Sequence, residues 1–137
     1  MLDLDDHQKQ ALRSSWAHVA MDPAFAAQLF YGRLFQQRPE LRAMFGEDMA
    51  AQGRKLMDTL NFVVDHLDKP DVLAEPVRQL GIRHQGYGVV PDDYNDVGAA
   101  LVWAFQNILQ GEFKSETQDA WVVAYTQISS AMISAEV

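Results

Sequence analysis

Apolar residues along this chain recur at spacings of three and four, and residues that start or stop helices fall between the runs. Acidic residues from Asp3 to Asp6 precede a stripe of Leu12, Trp16 and Val19. Asp22–Pro23 combines an N-cap with a proline at the first helical position, opening a second helix through Phe25, Leu29, Phe30, Leu34 and Phe35. That helix is apolar around much of its circumference, so deep burial is expected, with Tyr31 inside the crowd. Arg38–Pro39–Glu40 breaks it and begins a short helix, PELRAMF, ending at Phe45–Gly46.

After a polar connection, EDMA, the next stripe reads Gln52, Leu56, Thr59 or Leu60, Val63 and Leu67. Lys69–Pro70–Asp71 restarts the chain into a stripe of Leu73, Val77 and Leu80, and one further step of four lands on His84. Gly86 and Gly88 bracket Tyr87 and stop this helix; Pro91 suits the first turn of another. Its stripe is Tyr94, Gly98, Leu101, Phe105 and Ile108, closed by Gly111. Ser115 and Gln118 have the spacing of a capping box before the last stripe, Trp121, Tyr125, Ile128, Met132 and Glu136. There is no sustained period-two alternation, internal repeat or linker. The pattern predicts an all-α fold of seven or eight helices, several too short to stand alone.

A length of 137 residues suits one domain able to close a core around a sizeable ligand. The net charge of −8 argues against nucleic acid as a partner, because phosphate contact needs a basic face. The absence of cysteine excludes disulfides, thiolate metal sites and thiol nucleophiles. No apolar run approaches the roughly 20 residues that span a bilayer. With an acidic, polar start, MLDLDDHQKQ, the sequence carries no sign of export, and the cytoplasm is the expected compartment.

Five polar side chains sit where helical phase predicts burial: Tyr31, Gln52, His84, Tyr94 and Glu136. A buried polar group costs a few kcal/mol unless it is hydrogen-bonded, so each requires a partner or a ligand. Taken singly, each has an ordinary explanation. The tyrosines suit core aromatics whose hydroxyls reach an edge, Gln52 a frayed helix start, and Glu136 a solvated tail. His84 is either a buried histidine bonded to backbone or a ligand for a metal or haem iron. His18 and His66 read as surface residues, and His7 lies in a capping region.

Taken together, these residues carry a resemblance. The run LFYGRLFQQRPELRAMF resembles the second and third helices of bacterial globins of the flavohaemoglobin type, placing a distal tyrosine on Tyr31 and a haem-stacking phenylalanine on Phe45. QGRKLM is similar to the distal helix of that family, with its ligand-facing residue on Gln52 and a haem-contacting aliphatic on Leu56. RHQGYGV followed by PDDYNDVG resembles the proximal histidine and the helix after it, placing the iron ligand on His84 and a proximal tyrosine on Tyr94. DAWVVAY…E resembles the terminal helix and puts a proximal glutamate on Glu136. The likeness runs through nearly the whole chain and is to single-domain bacterial haemoglobins. Flavohaemoglobins continue into flavin- and nicotinamide-binding domains, whereas this sequence ends at Val137. Residues 1–137 are therefore expected to form one globin domain with no reductase domain.

The resemblance implies a three-over-three helical sandwich around haem b, with His84 on the iron. Phe45, Leu56, Leu60, Val89, Val97 and Leu101 offer apolar area to the macrocycle, and Arg54, Lys55 or Arg83 meet its propionates. The sixth iron position stays open for O₂, NO or CO, since glutamine is a poor iron ligand. Tyr31 and Gln52 donate to bound O₂, at roughly 1.5–3 kcal/mol for each charge-assisted bond, giving high affinity and slow release. Glu136, supported by Tyr94, accepts the Nδ1 proton of His84 and makes it more basic. Two functions follow. One is nitric oxide dioxygenation, or a weak peroxidase activity, with electrons from an external flavin or nicotinamide reductase. The other is O₂ storage, scavenging or delivery without turnover. A helical sensor that has lost haem fits poorly with His84. The expected assembly is a monomer or weak homodimer, free of membrane and nucleic acid.

Overall fold

Asp5 accepts the backbone N–H of Gln8 while the Gln8 side chain accepts the Asp5 N–H, a reciprocal cap that starts α1 (Asp6–Val19). Asp22 caps α2 (Pro23–Gln37) through the Phe25 N–H, with the expected proline inside its first turn. A 3-10 segment, Pro39–Met44, leads to α3 (Met49–Asp65), capped by Asp48 on the Ala51 N–H. The remaining helices are α4 (Pro70–Gly86), α5 (Pro91–Leu109) and α6 (Ser115–Ile133), the last two joined by a 3-10 turn at Gln110–Glu112. The computed structural model describes residues 2–137, and among these there is no strand. The all-α expectation holds.

The helices stack in two layers, α1, α3 and α4 over α2, α5 and α6, the three-over-three sandwich anticipated above. Leu12, Leu34, Leu67 and Leu73 are fully buried between them. Helix α2 crosses both α3 and α5, α6 packs on α1, and α4 rests on α6. By contrast, α3 and α4, consecutive in the chain, barely touch each other. Among the described residues no helix is long and apolar enough to cross a membrane.

An ion-pair cluster fixes the corner between α2 and α5. The Arg38 guanidinium pairs with Glu40, with Asp96 and, at 3.0 Å, with the buried Asp93. Asp93 also accepts the Val90 N–H, so it caps α5 from inside the first turn. The arginine that reads in sequence as part of a helix stop is a tertiary clamp.

Three local expectations change. Lys114, not Ser115, precedes α6, and no side chain caps it; the Gln118 amide is engaged instead by Gln106. Helix α2 is amphipathic rather than buried all round, since Phe25 is exposed and Leu29 and Phe35 are half-buried. His66 is no free surface residue. It packs on Phe62 with ring centroids 4.3 Å apart, and its Nδ1 bonds the Phe62 carbonyl.

Candidate functional site

Of the polar residues that helical phase marks for burial, Gln52 meets Tyr31 where α3 joins α2, and His84 on α4 lies beside Tyr94 of α5. Helix α4 presents His84 two residues before its end at Gly86, and Gly88, at φ 89°, then turns the chain back. The Val89 N–H then bonds the His84 carbonyl at 3.1 Å, holding the corner beside the imidazole. The half-buried ring places Nδ1 2.7 Å from the Leu80 carbonyl oxygen. A carbonyl only accepts, so Nδ1 carries the proton and Nε2 keeps a lone pair. Burial outweighs this bond and pushes the His84 pKa down, favouring the neutral ring that a metal requires. No hydrogen bond among the described residues engages Nε2.

The opposite wall is α3, where the Gln52 amide donates to the Tyr31 hydroxyl at 3.3 Å. This bond joins α3 to α2 and leaves the phenolic proton free to donate elsewhere. Tyr31 is buried, and desolvation raises its pKa against the opposing effect of Gln52, so it remains protonated. Its ring is held edge-on by Phe30 at 4.7 Å and Phe45 at 5.5 Å, and stacks on Phe35 at 5.8 Å. Arg42 donates to the Phe45 and Gly46 carbonyls and so pins the segment carrying Phe45.

Apolar residues of the same elements pack against the core. Leu56 and Leu60 on α3, Phe45 before it, and Val89 and Val97 near α5 are all half-buried against the core; Leu101 is buried behind them. A cavity of about 330 Å³ opens between the helices, lined by Asp58, Thr59 and Phe62 of α3 and by Pro76, Leu80 and Arg83 of α4. Its lining combines apolar Phe62, Pro76 and Leu80 with polar Asp58, Thr59, Gln79 and Arg83, and it stops short of His84, Tyr31 and Gln52. Arg54 and Lys55 are exposed on α3.

On the α5 side, the Tyr94 ring lies nearly parallel to the His84 ring, with centroids 6.3 Å apart. Tyr94 is held in turn by Tyr125, whose hydroxyl donates to the Tyr94 carbonyl at 2.6 Å. Gly98 makes room for that side chain, because a Cβ there would fall 2.7 Å from the Tyr125 ring. Burial drives the Tyr125 pKa far upward, so this donor stays protonated.

Glu136 departs from expectation. Helix α6 ends at Ile133, so its phase does not carry on to residue 136, and the Glu136 side chain is exposed with no hydrogen bond to His84. The acceptor for the Nδ1 proton is the Leu80 carbonyl. This is the backbone bond that the sequence offers as the ordinary alternative for His84, with the partner one helical turn before the histidine. Tyr125 and Gln85 were missed, since each acts through backbone carbonyls that no side-chain pattern marks.

Residues 28–132 match the family model described as Globin. The chain is 27% identical over 136 residues to a flavohemoprotein of Deinococcus radiodurans, covering 97% of this chain and 34% of that protein. The chain thus spans about a third of the length of that curated relative. It is also 25% identical to a neuroglobin of Chaenocephalus aceratus, covering 96% of this chain and 92% of the other. A bacterial globin structure from Campylobacter jejuni superposes with a TM-score of 0.83 at 24% identity, covering 94% of each chain.

Proposed function

The chain belongs to the globin family, and we propose that it holds haem b between α3 and α4 and binds O₂ there with high affinity. The observations that support this reading are the bond between Gln52 and Tyr31 and the His84 ring, whose Nδ1 is bonded to backbone and whose Nε2 no described residue engages. In this reading His84 holds the iron through Nε2. Phe45, Leu56, Leu60, Val89, Val97 and Leu101 cover the macrocycle, and Lys55 and Arg83 meet its propionates at the exposed rim. When bound, haem would supply a redox-active iron able to take a diatomic gas. The chain supplies the rest. Tyr31 and Gln52 donate to a ligand that gains negative charge, which favours O₂ over CO. Each charge-assisted donor is worth roughly 1.5–3 kcal/mol, or about one to two decades in off-rate.

Slow release suits a protein that retains O₂ rather than one that delivers it. The same donor pair favours a second reading, in which retained O₂ reacts with NO to give nitrate. That conversion, O₂ + NO + e⁻ → NO₃⁻, consumes one electron per turnover, supplied by a separate flavin or nicotinamide reductase. Similarity to a flavohemoprotein supports it. On the His84 side the acceptor is a neutral carbonyl, which raises ligand basicity less than a carboxylate does, and this favours plain O₂ binding. The experiment is reconstitution with haem followed by stopped-flow measurement. A Soret band absent from His84→Ala supports the site, and a normal ferrous-deoxy spectrum of that variant, without added imidazole, refutes it. Stoichiometric nitrate from the O₂-loaded protein mixed with NO, sustained by an added reductase, decides for turnover.

A further inference from the structure

Helix α4 makes extensive contact with only one other helix, α6, so whatever fixes its roll must lie on that face. Three residues of α4 meet the end of α6, spaced three and four apart: Arg78, Gly81 and Gln85. At Gly81 the two backbones are so close that a Cβ would fall 2.4 Å from the Met132 carbonyl oxygen. One turn later the Gln85 amide donates to the carbonyls of Ala135 at 3.0 Å, Met132 at 3.3 Å and Ile133 at 3.4 Å. Arg78 reaches the Glu136 carbonyl from the same face. Carbonyls at a helix C-terminus lack intrahelical donors, and here a side chain of the neighbouring helix supplies them. Gln85 is the residue immediately after His84, and Gly81 immediately follows Leu80, whose carbonyl holds Nδ1. The contacts that seat α4 on α6 therefore flank both halves of the imidazole bond.

We infer that Gln85 is a positioning residue for His84, its amide locking the end of α6 onto α4 and so fixing the direction in which the imidazole presents Nε2. The inference rests on the haem reading above. It assigns to the end of α6 an influence on the proximal ligand, exerted through backbone carbonyls and the Gln85 amide.

The test compares haem-loaded wild type with Gln85→Leu, which keeps the bulk but removes the donors, and Gln85→Lys, which restores a donor beside helix-terminal carbonyls. The readouts are the iron–histidine stretching band of the ferrous protein, the rate of haem transfer to an apoprotein acceptor, and the melting temperature. Gln85→Leu is expected to shift and broaden the stretch and to speed haem loss about tenfold, the factor that one net hydrogen bond carries. Gln85→Lys is expected to return both to wild-type values. Gln85→Asn, whose amide falls one methylene short, is expected in between. A melting temperature that falls while the stretch and haem loss stay at wild-type values would reduce Gln85 to a structural cap and overturn the inference alone. A wild-type chain that takes up no haem would overturn the haem reading, and the inference with it.

Discussion

The Nδ1 of His84 lies 2.7 Å from the carbonyl oxygen of Leu80, one helical turn earlier on the same helix. The imidazole is thus oriented by its own backbone and needs no carboxylate. Glu136→Gln is accordingly expected to leave the ferric/ferrous potential and the iron–histidine stretch of the haem-loaded protein unchanged. A rise in potential with a fall in the stretch would show Glu136 reaching the ring after all. Potentiometry and resonance Raman spectroscopy measure the two.

The distal wall predicts a graded response. Tyr31→Phe should speed O₂ dissociation by about one to two decades, and Gln52→Leu by less, because Gln52 already gives one of its two N–H groups to the Tyr31 hydroxyl, whose own proton stays free. CO gains little negative charge and should respond weakly to both. Flash photolysis with each gas separates hydrogen bonding from sterics: equal changes for O₂ and CO would mean that the donors act only by bulk.

Arg38→Leu strands the Asp93 carboxylate, which is buried and retains only the Val90 N–H. Losing its cationic partner is expected to destabilise the fold by more than the loss of an exposed surface pair does. Asp93→Asn, which keeps an acceptor for Val90, should cost less. Urea unfolding gives both values. A loss for Arg38→Leu no larger than that for Asp68→Asn, whose partners are exposed, would mark the cluster as an ordinary surface pair.

Asp68 receives Lys9 and Arg13 from α1, and these bonds hold its pKa below the usual aspartate range. A carboxylate depressed in the folded state binds fewer protons there than in the unfolded chain. Its contribution is therefore present above the unfolded pKa and lost as pH falls through the folded value. Acid titration of stability should weaken the hold on α1 in that window, and Asp68→Asn should flatten the slope. Both partners are solvent-accessible, so added salt should mute the effect. Hydrogen exchange along α1 at decreasing pH reads it.

The helices were legible because apolar spacing and proline punctuation agree along most of the chain, as at Asp22–Pro23 and Pro91. Tyr31, Gln52 and His84 stood out for a related reason: each is polar at a phase that demands burial, and in the structure each is buried or half-buried with a hydrogen-bond partner. The failures share a cause. Gln118 is drawn off by Gln106, a neighbour from another helix that local spacing cannot reveal. Glu136 was reached by extending a period beyond the point where Gln85 closes α6. His66 appeared exposed because its partner is a main-chain carbonyl, invisible to any side-chain pattern.

The sparse contact between α3 and α4 has a consequence for how the protein lives. Four helices, α1, α2, α5 and α6, interlock directly, whereas α4 hangs from α6 by one face. Cooperative units with few buried contacts open most readily. Amide protons of α4 should therefore exchange earliest among the longer helices, and a protease should nick that segment first. The chain can consolidate before its cleft is bridged. A ligand spanning the cleft would then close the weakest seam, tying the survival of each molecule in the cell to how promptly that ligand is supplied.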